Sequence, residues 1–518
     1  MAPIGYAYLL EHFQLTMPKL EYEYFQGHHR SGVETISYGA AKRKVISART
    51  KIGDSVFDHL KAAIRYQGIR LPYLFVIFEA LDPVELASAI NETPQSRYAR
   101  TIWFLYEWLM ESKLNIPDLN TGNYVRLFDD NFYFTRNSGE RCSRTRVINN
   151  AIGTRDFCPT IRKTPAINNL CDFDVYESAF ATMQKMGDLL NANIVDRCVN
   201  YLYTKESKTS SEIEREPPSK QRLMRFNQAL KNAGIYTLNK HTLIHIQNQI
   251  VSQNAKINDY RSVEIYVGET KHFGSLVDEE VHFVGPRAEH VESLMNGLLT
   301  THDNMMTDCE IPPLMHATAI SFGFVYIHPF DDGNGRTHRY LLHDVFKQRD
   351  KRHEFIIPIS ATILKNEKAY EDVLNIVSTP LLLQLEYEID PENEYRVTIY
   401  NDLHYLYRYP DLTKHVEYIY QMMNTSIELD LLNEVVYLIT FDLTKKFLEQ
   451  QIDIPNNSAN AIVNIILANG GQVSKRKQEY VLNIIPQSCL QALEDFSKQT
   501  ISKMCDLTGV DLSELKLE

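Results

Sequence analysis

Residues 312–349 constrain the fold most. Pro312-Pro313 opens a helical pattern that runs to about Tyr326, a glycine-bearing turn follows, and RTHRYLLHDVF resumes the helical period at once. A segment of this kind folds as a helix, a tight turn and a second helix, which commits the middle of the chain to helical packing.

The turn between them reads HPFDDGNGRTHR, from His328 to Arg339. Gly333 and Gly335 admit positive φ and let backbone approach a ligand closely. Asn334, between them, can hydrogen-bond an oxygen. Successive N–H groups in such a turn make an anion-binding nest, and the helix that follows adds its dipole. Arg336 and Arg339 are three apart and share a helix face above the turn, where two guanidiniums suit a di- or triphosphate. Asp332 would repel phosphates unless a cation such as Mg²⁺ lies between them. His328 is an imidazole able to take a proton near neutral pH. Phe330 reads as the apolar anchor of the loop and Asp331 as solvent-facing.

The rest of the chain sets the frame. Its 518 residues suffice for two or three domains, and 44% hydrophobic content fits an ordinary globular protein. The formal net charge of −12 disfavours broad binding to nucleic acid, and no apolar run is long enough for a membrane span. The N-terminus shows no secretory signal pattern. Seven scattered cysteines without a C-x-x-C pair imply a reducing, cytoplasmic setting and no structural zinc. Neither H-E-x-x-H nor a P-loop occurs, which argues against a zinc hydrolase or an ordinary ATPase. Arg97–Met110 is an apolar-striped core helix, residues 131–164 read as short strands and loops, and Lys220–Asn232 as a helix after Pro217-Pro218. Val263–Val267 and Val281–Val284 are β-prone runs around a loop with Gly268 and Gly274, so a hairpin is expected. A helix over Ala288–Leu299 follows Pro286, and the chain after about Thr379 reads as all-helical.

HPFDDGNGRTHR resembles the Fic-family signature H-P-F-x-[DE]-G-N-G-R-x-x-R at every fixed position. The resemblance implies a mainly α protein: a Fic-type helical core with a small β-hairpin flap, an N-terminal α/β-containing region and a C-terminal helical region. The expected extents are 1–200, 201–379 and 380–518. It also implies transfer of AMP from ATP, with Mg²⁺, to a Tyr, Thr or Ser hydroxyl of a target protein or of the chain itself. His328 is then the general base, Asp332 the Mg²⁺ ligand, and Gly333, Asn334 and Gly335 the anion hole for the α- and β-phosphates. Arg336 becomes a phosphate contact and Arg339 the γ-phosphate partner. A branch of the family that acts as a kinase has Lys at the position of Asp332, so Asp332 favours nucleotidyl transfer.

Arg261–Gly285 resembles the family's flap, which docks a target segment by β-augmentation, here through Val263, Ile265 and Val267. Ile357–Val377 resembles the helix after the core, and Asn469–Tyr480 a tail element of larger members; its Lys475-Arg476-Lys477 run raises a DNA-binding winged helix as an alternative. Thr209–Glu216 (TSSEIERE) resembles the inhibitory helix [ST]-x-x-x-E-[GN], expected over about 205–216. Ser210 and Glu214 fit the spacing, and Glu214 is then the partner of Arg339, an inhibition in cis. Arg215 departs from the pattern, which has Gly or Asn there. Other readings stay open: a nucleotide-sensing regulatory protein that binds DNA or protein, a Fic enzyme using another nucleotide, removal of AMP, and a homo-oligomer.

Overall fold

The computed structural model describes residues 1–27, 33–38, 41–273, 276–351, 355–391, 393 and 395–509. The chain is mostly helical, with small sheets set into it. Near the N-terminus lies a four-stranded sheet. Its spatial order is Ala2–Pro3, Glu23–Gly27, Ala41–Ser47, Val33–Tyr38, with 23–27 parallel to 41–47 and the other pairs antiparallel. Residues 125–149 add a three-stranded sheet in which Val147–Asn149 is central. The expected helix forms over Arg97–Met110, and it buries Ile102, Trp103, Leu105 and Leu109. Its apolar stripe sits at i, i+3 and i+4, so one face enters the core along its whole length.

The centre is the pair Pro313–Ile327 and Asn334–Arg349. Every residue of the first from Leu314 to Ile327 is buried. A helix apolar on all sides must be covered on all sides. Ala288–Met306 and Thr413–Thr425 pack against the first helix, and Lys240–Ile250 and Ala192–Ile213 against the second. Buried apolar side chains from Tyr6 to Met504 form one continuous cluster. The boundaries expected at 200 and 379 fall inside the helices Ala192–Ile213 and Glu367–Leu382, so neither marks a break in the chain.

The structure corrects several expected elements. The hairpin strands are Tyr266–Phe273 and Leu276–Val284. Val263 and Ile265 precede the first strand, because the 261–265 backbone is tied elsewhere: Arg261 N donates to Pro329 O at 2.9 Å and its Nη1 to Val263 O at 2.7 Å. Gly268 lies in the strand, at a register shift after Val267, and not in the loop; Gly274 is outside the described residues. The helix expected across 357–377 breaks at Asn366, giving Ile359–Lys365 and Glu367–Leu382, and Asn366 Nδ2 donates to Thr362 O at 3.0 Å. The C-terminal region is not all-helical. Tyr387–Asp390 pairs antiparallel with Arg396–Ile399, a hairpin whose Val397 and Ile399 alternate into the core. The helix expected from about 205 begins at Ala192, where Asn191 Oδ1 caps Ile194 N at 3.1 Å.

Candidate active site

The signature turn joins the two central helices. His328 is the C-cap of the first, with φ 51° and ψ 59°, the left-handed conformation that lets the chain leave the helix. Its Nδ1 lies 3.0 Å from Val325 O. A carbonyl only accepts, so Nδ1 carries the hydrogen and Nε2 keeps its lone pair. Burial in the site pushes the imidazole down to about 4, with the Arg261 guanidinium adding to this and the Glu214 carboxylate opposing it. The ring is therefore neutral at pH 7.

Phe330 is fully buried against Tyr260 and Phe324, the anchoring role its apolarity implied, and Asp331 is exposed. Asn334 faces inward: its Oδ1 accepts from Phe330 N at 3.0 Å and its Nδ2 donates to Phe330 O at 2.7 Å. Its side chain is spent on bracing the loop, so only its main chain remains for an anion. Gly333, at φ 89°, is the N-cap of the second helix, and a side chain there would meet Val251 at 2.7 Å.

Both arginines are buried, and both are held by acids. Arg339 donates from Nε to Ser210 Oγ at 2.8 Å, and from Nη2 to Ser210 O at 2.7 Å and Glu214 Oε1 at 2.6 Å. The spacing that predicted Ser210 and Glu214 on one face thus delivers both to one guanidinium. A Cβ built on Gly335 would lie 2.2 Å from Glu214 Oε1, so this carboxylate rests directly on the mouth of the nest. Arg336 donates from Nη1 to Glu216 Oε2 at 2.7 Å and from Nη2 to Asp332 Oδ1 at 2.6 Å. Glu216 also pairs with Arg222 at 2.5 Å. Sequence reasoning missed Glu216: it lies beyond the inhibitory pattern, and nothing local announces a partner 120 residues away.

Arg215 is the left-handed residue that ends the helix, with φ 54°. Arg215 N donates to Glu212 O at 2.8 Å and Glu216 N to Ser211 O at 3.3 Å, the paired bonds of a Schellman motif. The position therefore favours Gly or Asn on steric grounds. Arg215 compensates in part by pairing with Glu269 of the hairpin at 2.6 Å.

The hairpin stands beside the turn. Phe283 lies 5.9 Å from the His328 ring, centre to centre, and Val263 and Val267 are exposed while Ile265 is half-buried. Arg261 locks its base, donating from Nε to His328 O at 2.8 Å and from Nη2 to Pro286 O at 2.6 Å, and Tyr407 Oη donates to Val284 O at 2.7 Å. A cavity of about 450 Å³ lies elsewhere, in the N-terminal region between Tyr24, Arg70 and Arg162, and no signature residue lines it.

A Fic/DOC family model matches residues 237–345, which takes in the hairpin, the first central helix, the turn and most of the second helix. These residues are a Fic/DOC-family domain. Fic-family proteins are generally AMPylation-type transferases. Among solved structures, the chain is similar to a Fic family protein from Desulfovibrio desulfuricans G20 at 16% identity and TM-score 0.35, over 64% of this chain and 87% of that one. It is similar to a Fic domain containing signaling protein from Bacteroides thetaiotaomicron VPI-5482 at 15% identity and TM-score 0.34, over 51% and 97%. The helix bearing Ser210 and Glu214 precedes the matched Fic segment.

Proposed function

We propose that the chain transfers AMP from ATP to a hydroxyl side chain of a protein, and that residues 210–216 hold it inactive in cis. The observation that carries this reading is a neutral imidazole beside an anion nest whose two arginines are both engaged by carboxylates of one preceding segment. In the reaction the acceptor oxygen bonds to the α-phosphorus, the bond from that phosphorus to the bridging oxygen breaks, and pyrophosphate leaves. His328 Nε2 takes the hydroxyl proton. Backbone N–H groups of Gly333 to Gly335 receive the developing charge, and Arg336 and Arg339 bind the phosphates.

Asp332 fits a Mg²⁺ role by chemistry: it is a hard oxygen donor, partly exposed at the rim of the nest. The ion would supply charge neutralisation to the polyphosphate. Exposed Val267 on the hairpin, with Val263 just before it, suits an extended target segment laid alongside.

In the resting state Glu214 places negative charge where a phosphate would lie and occupies the Arg339 fork. Glu216 does the same to Arg336, so the brake has two teeth. The test uses labelled ATP and Mg²⁺ with the full chain. Glu214→Gly is expected to raise self-labelling at least about tenfold, the effect of freeing a charge-assisted pair worth about 1.5–3 kcal/mol. Adding Glu216→Gln raises it further, and adding His328→Ala abolishes it. Labelling that persists without His328 would remove the base assignment, and Glu214→Gly labelling no better than wild type would remove the brake.

A further inference from the structure

His290 lies in the first turn of Ala288–Met306, directly after the hairpin, whereas Asp402 and His404 lie more than a hundred residues later at the start of the helix His404–Arg408. The fold brings all three together. His290 Nε2 is 2.9 Å from Asp402 Oδ2, and His404 Nδ1 is 3.1 Å from the same oxygen. The three donor atoms lie within 4.8 Å of one another, and the two imidazole centres are 4.9 Å apart. The two histidines are half-buried, with 19% and 16% of their side chains exposed, and Asp402 is exposed.

Two observations go beyond proximity. His404 Nδ1 is buried and makes no hydrogen bond, although a carboxylate oxygen is 3.1 Å away. His290 Nε2, by contrast, is hydrogen-bonded to the same oxygen, a contact that a bound ion would replace. The surroundings are also acidic. Glu289 Oε1 is 3.9 Å from His290 Nε2, and Glu79 is near enough to feel the charges of both His404 and Asp402. Arg287, 3.2 Å from Glu289, offsets only part of this.

We propose that His290, Asp402 and His404 form a site for one borderline divalent transition-metal ion, Zn²⁺ by donor set, with water in the remaining position. Two imidazole nitrogens and one carboxylate oxygen are the three-ligand set of open zinc sites. Metal–donor bonds of about 2.0–2.2 Å in a tetrahedron separate donors by roughly 3.3–3.6 Å, so the two nitrogen–carboxylate spacings need to open by only a few tenths of an ångström, and the two nitrogens already lie within 4.8 Å of each other. The site is separate from Asp332. It joins the helix that leaves the hairpin to the short helix carrying Tyr407, whose hydroxyl grips Val284. The ion would therefore brace the base of the hairpin. No cysteine takes part, which is why cysteine spacing gave no sign of it.

The full chain, stripped with chelator, is titrated with Co²⁺ without nucleotide. The proposal expects one saturable visible d–d band of tetrahedral strength, bleached by Zn²⁺, with no thiolate charge-transfer band. His404→Ala and Asp402→Asn should each weaken Co²⁺ binding at least about tenfold, the loss that even an outer-shell change brings. Asp402→Asn keeps the volume and an acceptor oxygen, and its fold is checked by circular dichroism. Zn²⁺ should raise the Tm of wild type and not of Asp402→Asn. A spectrum of hydrated Co²⁺ only, a thiolate band, or binding undiminished in folded Asp402→Asn overturns it.

Discussion

At Arg215 a single left-handed backbone torsion accounts for the Gly or Asn of the family's pattern, and the arginine of this chain bears its cost. A left-handed residue other than glycine costs about 1–2 kcal/mol. Glycine would regain this but lose about 0.4–1 kcal/mol through the freer unfolded chain, and the exposed pair with Glu269 is worth about 0–1 kcal/mol. Arg215→Gly should thus change stability by between a loss of about 1 kcal/mol and a gain of about 1.6 kcal/mol in urea unfolding; a loss larger than about 1 kcal/mol would contradict the left-handed assignment. The gathering of His328 and Arg339 at one turn follows from spacing and residue chemistry, whereas the roles assigned to them come from the family resemblance. Asn334 shows the limit of that reasoning: an amide between two glycines is equally able to face a ligand or its own loop, and the close packing of Phe330 turns it inward. Glu216 was hidden for a related reason. Its local sequence is an ordinary charged helix end, and its role comes from Arg336, supplied by a distant segment.

At the level of elements, the helix Ala192–Ile213 leads into the proposed brake and needs an anchor of its own. That anchor is Glu206, which is buried. Its carboxylate accepts from Ser360 N at 2.9 Å and Ser360 Oγ at 2.5 Å, and lies 3.0 Å from His343 Nε2. Removing it leaves buried donors without a partner, each costing about 1–3 kcal/mol. Glu206→Ala should destabilise the chain by about 3 kcal/mol in chemical denaturation and raise basal self-labelling, because the helix that positions Glu214 is loosened. An unchanged denaturation midpoint would show that the anchor is elsewhere. Arg97–Met110 was legible to the residue because its stripe is continuous, whereas the first hairpin strand was displaced because the guanidinium of Arg261 claims Val263 O, a use of backbone that β-propensity cannot reveal.

For the whole molecule, one core spans the three regions and holds uncharged histidines. Burial pushes His338 and His415 down to about 3 and His316 well below its ordinary value. The unfolded chain takes up these protons below about pH 6.5 and the folded chain does not. Their contribution is therefore fully present above pH 6.5 and is lost as pH falls from there toward 3. Three such groups approach a slope of about 4 kcal/mol per pH unit. Urea midpoints should fall clearly between pH 7 and pH 5, and equal midpoints would mean that these rings do not stay neutral. Among the described residues no helix is long and apolar enough to cross a membrane, in line with the absence of an apolar run in the sequence.

The sequence by itself determined the helix–turn–helix, the chemistry gathered at the turn and the i,i+4 placement of Ser210 and Glu214 on one helix face, because these depend on contacts within a few residues or on one helical period. Only the tertiary structure decided that Ser210 and Glu214 meet Arg339, that Glu216 meets Arg336, that Glu206 anchors the helix Ala192–Ile213 and that His290 joins Asp402 and His404. Each of these pairs segments far apart in the chain, and which distant side chains meet is set by how the helices pack, a property that local propensity does not encode.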